Sequence, residues 1–152
     1  MILTDLEKRR GGRVDTEKVL RMAILHDLAE ALTFDISQAH LRHMGKRGHA
    51  IKREVESRAW EHIANGLNDR ELSRSYTSAQ REYDANDTME SKIVHAADSL
   101  DILLQVLHYR RRGYQDNLLA DLWNERRKII LKSEVVSAKN LLKIIVREYE
   151  KL

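Results

Sequence analysis

Residues 87–113, DTMESKIVHAADSLDILLQVLHYRRRG, decide the fold of this chain. Asp87 followed three positions later by Glu90 makes a capping-box-like start, and Gly113 makes a stop. Between them apolar residues recur every three or four positions, with Ile93, Ala97, Leu100, Leu104 and Leu107 on one stripe of a helix. The spacing predicts one long helix to about Arg112 with that stripe inward. Working outward, the same period returns. Residues 2–9 read as a helix stopped by Gly11 and Gly12, and Asp15 as the N-cap of a helix running to about Thr33, with Val19, Leu20, Ala23, Ile24, Leu28 and Ala31 inward. Ile51, Val55, Ala59 and Ile63 mark a helix ending near Gly66, and another covers about 69–82. Helices over about 117–131 and 134–151 have Leu118, Leu122, Ile129, Leu141, Ile144 and Ile145 as core stripes. The polar stretch 34–49, with Gly45 and Gly48, reads as a loop. No stretch alternates with period two. Proline is absent, where average usage of about 5 % would supply roughly seven or eight. The fold class is therefore all-α, a single-domain helical bundle of about six helices over residues 1–152.

Composition narrows the chemistry. A chain of 152 residues suits one domain burying roughly 70 % of its unfolded surface. There is no cysteine, which excludes disulfides, thiolate zinc sites, iron–sulfur clusters and cysteine nucleophiles, and leaves His, Asp and Glu as metal ligands. With 27 Lys and Arg against 24 Asp and Glu, the net charge of +3 is too balanced to argue for nucleic acid. The runs Arg110-Arg111-Arg112 and Lys46-Arg47 read as solvated helix ends. Two Trp, five Tyr and one Phe supply few platforms for base stacking. The opening MILTDLEKRRGG has three apolar residues before charges begin, so it is expected to be neither signal peptide nor membrane span. These features predict a cytoplasmic protein.

The chemistry-bearing stretch is ILHDLAEALTFDI, residues 24–36, in which His26, Asp27, Glu30 and Asp35 interrupt an apolar helix. An imidazole and a carboxylate placed side by side among apolar groups are costly unless paired, and a divalent cation satisfies both. Adjacent helix positions point about 100° apart, so the two converge on one ion only at a helix edge, and a second helix must supply further ligands. That helix offers His95-Ala96-Ala97-Asp98-Ser99-Leu100-Asp101, with Asp98 the preferred third ligand and flanking alanines that permit close approach. His95 and Asp101 read as structural or supporting groups. His26 and Glu30, four apart, share a helix face, which places a carboxylate where it orients water or shuttles a proton. The dipeptide His-Asp alone arises by chance roughly once in two chains of this composition, so the weight rests on the combination.

The combination resembles a known family. His26-Asp27-Leu28-Ala29-Glu30, then Thr33-Phe34-Asp35-Ile36, then Lys92-Ile93-Val94-His95-Ala96-Ala97-Asp98-Ser99-Leu100-Asp101, in this order and at these separations, is similar to the HD-domain metal-dependent phosphohydrolases, in the branch of the 5′-deoxynucleotidases. Val19 to Ala23 and the segment from Leu103 through Tyr109, Gly113 and Trp123 extend the resemblance over nearly the whole chain. It implies a helical HD domain and makes His26, Asp27 and Asp98 metal ligands. Glu30 becomes the acid that assists proton transfer near the attacking water, and Asp35 the aspartate at the substrate sugar. The implied cofactor is a divalent metal, Mn, Co or another transition metal, with Mg or Zn as alternatives. The implied substrate is a small phosphate ester, a (deoxy)nucleoside 5′-monophosphate, and the implied assembly is a homodimer. Basic residues that neutralise phosphate would come from Lys52, Lys92 and Arg21.

Two departures accompany the resemblance. Phe34 stands where the family usually has glycine before the aspartate. The family pattern also begins with a metal-binding histidine on an upstream helix, and no histidine precedes His26 here. The chain is expected to be N-terminally incomplete, to have replaced that ligand by His40, His43 or His49, or to have lost activity. In the last case it would be a non-enzymatic binding or scaffold module on the same fold.

Overall fold

The structure, a computed structural model, describes residues 1–33 and 38–152, without the side chains of residues 38–40 and 42. Among the described residues it contains helices and no strand. The helical segments are α1 (Ile2–Arg9), α2 (Thr16–Leu25), α3 (Glu30–Thr33), α4 (Gln38–Gly66), α5 (Arg70–Ala85), α6 (Met89–Arg111), α7 (Asn117–Lys132) and α8 (Val136–Tyr149). No described helix is long and apolar enough to cross a membrane. The all-α expectation holds. The helix predicted over 15–33 divides into α2 and α3, and part of the stretch predicted as a loop lengthens α4 at its N-terminal end.

The segments cluster into two compact units, one of Met1–Leu20 with Tyr83–Leu152, the other of Arg21–Glu82. In the first unit α6 is the spine. It packs against α7, α8 and α1, and α1 also packs on α8. Ile93, Leu100 and Leu107 are buried as their spacing predicts, but the arc is completed by Val94, Ala96, Leu103 and Val106, whereas Ala97 and Leu104 face outward. Both Leu103 and Leu104 are apolar, so periodicity alone does not choose between them; the placement of α7 and α8 does. The stripes predicted for α7 and α8 are corrected in part. Trp123 and Ile130 of α7, and Leu142 and Ile145 of α8, are buried, while Leu118, Ile129 and Ile144 are exposed. Each aliphatic side chain buried in this core contributes about 1.5–3 kcal/mol. Trp123 stacks on Tyr149 with ring centroids 3.8 Å apart. Arg111 reaches Glu148 at 2.9 Å, and Lys151 together with Arg111 holds the Glu148 carboxyl below its usual range.

Helix ends in this unit are settled by side chains. The predicted cap Asp15 accepts from the backbone N–H groups of Glu17 and Lys18 at 3.0 and 3.2 Å, and its own N–H donates to Glu90 Oε1 at 2.7 Å. At α6 the cap is Thr88, not Asp87: Thr88 Oγ1 accepts from the Ser91 N–H at 3.2 Å, and Ser91 Oγ donates to the Thr88 carbonyl at 2.9 Å. The first turn of α8 follows Val135, which has no side-chain acceptor. Glu7 of α1 supplies one, its buried Oε1 accepting from the Ser137 N–H at 2.7 Å. A carboxylate at a helix N-terminus satisfies an orphan donor and complements the dipole.

In the second unit α4 packs against α3, with Leu41, Trp60 and Ala64 buried. The prediction of a loop over 34–49 is corrected from Gln38 onward, where the chain is already helical. Glycine there punctuates the helix rather than ending it. Gly45, at φ 60° and ψ −153°, occupies a conformation accessible essentially to glycine alone and kinks α4. Asp69 caps α5 by accepting from the N–H groups of Glu71 and Leu72 at 2.9 and 3.0 Å. The helix predicted through Thr33 is corrected at His26–Ala29, which form a turn. There the backbone changes to three-residue bonds, Leu28 N–H to the Leu25 carbonyl at 3.0 Å and Glu30 N–H to the Asp27 carbonyl at 2.9 Å. This tightening is the bonding of a 3₁₀ turn.

Two stability outcomes follow from these caps. Glu7→Ala strands the Ser137 N–H inside the protein, which costs roughly 1–3 kcal/mol. At about 2–4 °C per kcal/mol for a chain of this size, the midpoint of thermal unfolding followed by circular dichroism drops by roughly 2–12 °C, with a smaller loss for Glu7→Gln. Thr88→Ala costs about 1 kcal/mol through the lost cap. Asp87→Ala, at the residue that the sequence pattern names as the cap, leaves the midpoint within about 1 °C.

Candidate functional site

The tightened turn after α2 presents the residues singled out by the sequence. In His26, Nδ1 lies 3.0 Å from the Ala23 carbonyl, and Nε2 lies 3.0 Å from Asp27 Oδ2. A carbonyl only accepts, so Nδ1 carries the proton, and in the neutral ring Nε2 presents its lone pair. The Asp27 carboxylate accepts from Nε2 when the ring carries both protons, which makes the contact an ion pair. Orientation of a ligand imidazole through Nδ1–H to a backbone carbonyl is the supporting bond that metal-binding histidines use. His26 is 17 % exposed and Asp27 64 %, so the pair opens outward through the carboxylate. The nitrogen and oxygen donors fit a divalent transition metal.

Glu30 does not simply stack over His26 as an uninterrupted helix would have it. With three residues per turn, four positions overshoot alignment by about 120°. Its Oε1 lies 3.4 Å from Lys52 Nζ of α4, and Lys52 also reaches Glu56 at 3.2 Å. Lys52 is thus engaged by two carboxylates within its unit. Of the other basic candidates, Lys92 pairs with Glu134 at 3.0 Å, and Arg21 donates to Ser75 Oγ and lies 5.9 Å from the Tyr76 ring centroid.

Asp98 belongs to the first unit. On α6, half-buried, its Oδ2 accepts from Arg126 Nη1 of α7 at 3.3 Å. Arg126 Nε is buried without an acceptor, an unmade hydrogen bond worth about 1–3 kcal/mol. His95, one turn earlier, stacks on Tyr83 with ring centroids 4.0 Å apart, and its Nε2 lies 2.9 Å from the Tyr83 carbonyl, a structural role. A cavity of about 330 Å³ opens beside it, lined in part by Lys92, Lys132 and Glu134. Asp101 is exposed and accepts from Gln105 at 2.7 Å.

The structure therefore brings His26 and Asp27 into contact in one unit and pairs Asp98 with an arginine in the other. Among the described residues of either unit, no three His, Asp or Glu side chains stand close enough to hold one metal ion. Phe34 and Asp35 lie outside the described residues, as does the side chain of His40; His43 and His49 are exposed on α4. Arg126 escaped the sequence pattern, although a signal existed. It lies three positions after Trp123 and four before Ile130, a charge on a buried stripe, and such a charge needs a partner.

Comparison with known proteins bears on this arrangement. Residues 1–138 match the family model described as HD domain. The chain is 29 % identical over 112 residues to a protein of Xenopus laevis named 5′-deoxynucleotidase HDDC2, covering 74 % of this chain and 53 % of the relative. A protein of the same name from Danio rerio is 32 % identical over 96 residues, covering 63 % of this chain and 45 % of the relative. The chain thus spans about half the length of these curated relatives. Among solved structures, the PH0347 protein from Pyrococcus horikoshii aligns over 97 % of this chain and 75 % of its own, with a TM-score of 0.77 and 29 % identity. A conserved hypothetical protein from Pyrococcus furiosus aligns over 98 % of this chain and 75 % of its own, with a TM-score of 0.74 and 28 % identity. With the motif residues, the all-helical architecture and a family match over most of its length in agreement, the chain belongs to the HD domain family.

Proposed function

We propose that this protein is a metal-dependent phosphohydrolase acting on a (deoxy)nucleoside 5′-monophosphate, with residues 1–152 forming a single HD domain. The observation that carries it is the His26–Asp27 pair, an oriented imidazole and an exposed carboxylate with donor atoms 3.0 Å apart. The similarity to proteins named 5′-deoxynucleotidase supports the substrate class. His26, Asp27 and Asp98 are the residues that would hold a divalent cation, Mn or Co by the mixed nitrogen and oxygen donors. The chemistry that such a cation supplies when bound is that of a Lewis acid, lowering the pKa of water toward about 7 and neutralising phosphoryl charge.

The remaining work falls to the chain's own side chains. The Ala23 carbonyl orients the His26 ring through Nδ1. Glu30 orients the attacking water and carries its proton on a carboxylate oxygen to the leaving alkoxide, while Lys52 restrains that carboxylate from α4. Asp35 accepts from the sugar hydroxyl of the substrate. The protein works as a cytoplasmic homodimer, and light scattering tests its mass.

Protein stripped with a chelator and reloaded with Mn²⁺ or Co²⁺ is expected to release phosphate from a panel of nucleoside monophosphates only in the reloaded state. Asp27→Ala and Asp98→Ala each abolish bound metal, measured by plasma emission; unchanged stoichiometry in both refutes the site. Metal binding without phosphate release from any member of the panel would mark a binding module instead. Glu30→Gln is expected to lower kcat by roughly 10²- to 10⁴-fold with metal content unchanged, the signature of a proton-transfer group rather than a ligand.

A further inference from the structure

The cavity beside His95 has no place in this chemistry. It measures about 330 Å³ and lies wholly within the first unit, between the start of α6, the end of α7 and the connections beside them. Three segments supply hydrogen-bond donors to it. Lys132 ends α7, where its charge suits the helix dipole, yet its ammonium has no acceptor among the described residues. Ser133 Oγ accepts from the Val135 N–H at 3.1 Å, so the hydroxyl proton is left to donate. Asn86, at φ 51° with its N–H donating to the Tyr83 carbonyl, adds a side-chain amide. Lys92 reaches Glu134 at 3.0 Å, and an ammonium has further donors to give. Among the lining residues, two ammonium groups stand against one carboxylate and the partial negative charge, about one half, at the end of α7. The balance is positive, which suits an oxyanion.

His95 sets a second requirement. Its Nε2 lies 2.9 Å from the Tyr83 carbonyl, which only accepts, so Nε2 carries the proton and Nδ1 of the neutral ring is an acceptor. Among the described residues Nδ1 has no donor. A bare oxyanion cannot supply one, whereas a hydroxyl group can. Ile129 and Ala96 give the same cavity an apolar wall. Its volume falls at the lower end of the range of about 300–1,000 Å³ that small-molecule pockets span, more than a free ion fills.

We propose that this cavity binds a sugar phosphate. Lys132 and Lys92 neutralise the phosphoryl group while Ser133 and Asn86 donate to its oxygens. A sugar hydroxyl donates to His95, and the sugar ring lies against Ile129 and Ala96. Lys92 keeps Glu134 and turns a second N–H to the ligand. The residues all belong to the first unit and include none of the His26–Asp27 turn, so the proposal stands whether or not the protein hydrolyses nucleotides.

The test is titration of chelator-stripped, ¹⁵N-labelled protein with ribose 5-phosphate and, separately, with inorganic phosphate, followed by heteronuclear NMR at constant ionic strength. Ribose 5-phosphate is expected to move the signals of Asn86, Lys132, Ser133 and Glu134 saturably. It binds about three- to tenfold more tightly than phosphate, the margin that an added hydroxyl contact supplies. Lys132→Gln weakens its binding by about three- to fivefold, the worth of an exposed charge contact. Lys128→Gln, one turn earlier on α7 and outside the cavity, matches wild type. Both lysines are exposed, so both variants are expected to fold as wild type by circular dichroism. Absence of saturable shifts at those four residues, or shifts confined to residues 26–30, overturns the site. So does a Kd for Lys132→Gln within about 1.5-fold of wild type. Equal affinity for phosphate and ribose 5-phosphate overturns the assignment to a sugar phosphate.

Discussion

The burial of α6 against three other helices constrains everything in the first unit. A helix that is apolar around most of its circumference has little surface left for polar groups, and each one it carries must find a partner or face outward. α6 resolves this residue by residue. Ser91 turns its hydroxyl back to the cap at Thr88, His95 stacks on Tyr83, Asp98 meets Arg126, and Asp101 points outward. The candidate ligand at position 98 is thus embedded in a helix whose rotation is dictated by its core, and a rigid helix is the better platform for a group that must be placed to within about half an ångström.

The second unit handles the same difficulty by the opposite means. His26 and Asp27 follow α2 on a turn whose backbone tightens from four-residue to three-residue bonds. Adjacent positions diverge by about 100° in a regular helix and about 120° in a three-residue turn, so the 3.0 Å contact between the imidazole nitrogen and the carboxylate oxygen is made by the reach of the side chains themselves. Short stretches of this geometry inside helical sequence are often functional hinges, because the backbone departs from its easiest conformation only where something holds it. The Ala23 carbonyl is one restraint, and the contact between Glu30 and Lys52 on the following turn is another.

Charge is used sparingly in both units. Glu7 caps α8 from a different helix, Glu90 takes the N–H of Asp15, and Lys52 lies between Glu30 and Glu56. These are long-range or interhelical uses of side chains that sequence inspection assigns to solvent. They explain how a chain with balanced charge and one third charged residues closes its helix ends without proline.

The sequence by itself determined the helical class, most helix boundaries in the first unit, and the residue types able to hold a metal in a chain without cysteine. These are local properties: periodicity, capping residues and glycine stops act over a few positions. Asp15 at the start of α2 and Gly113 after α6 were legible for that reason. Which apolar stripe is buried was not legible, because Leu103 and Leu104, or Ile144 and Ile145, satisfy the same pattern and only the neighbouring helices select between them. The turn at 26–29 was equally hidden, since nothing in Leu28-Ala29 breaks a helix. Only the tertiary structure decided that Asp98 faces Arg126, because the pairing joins positions on separate helices and depends on how α7 rotates to bury Trp123 and Ile130.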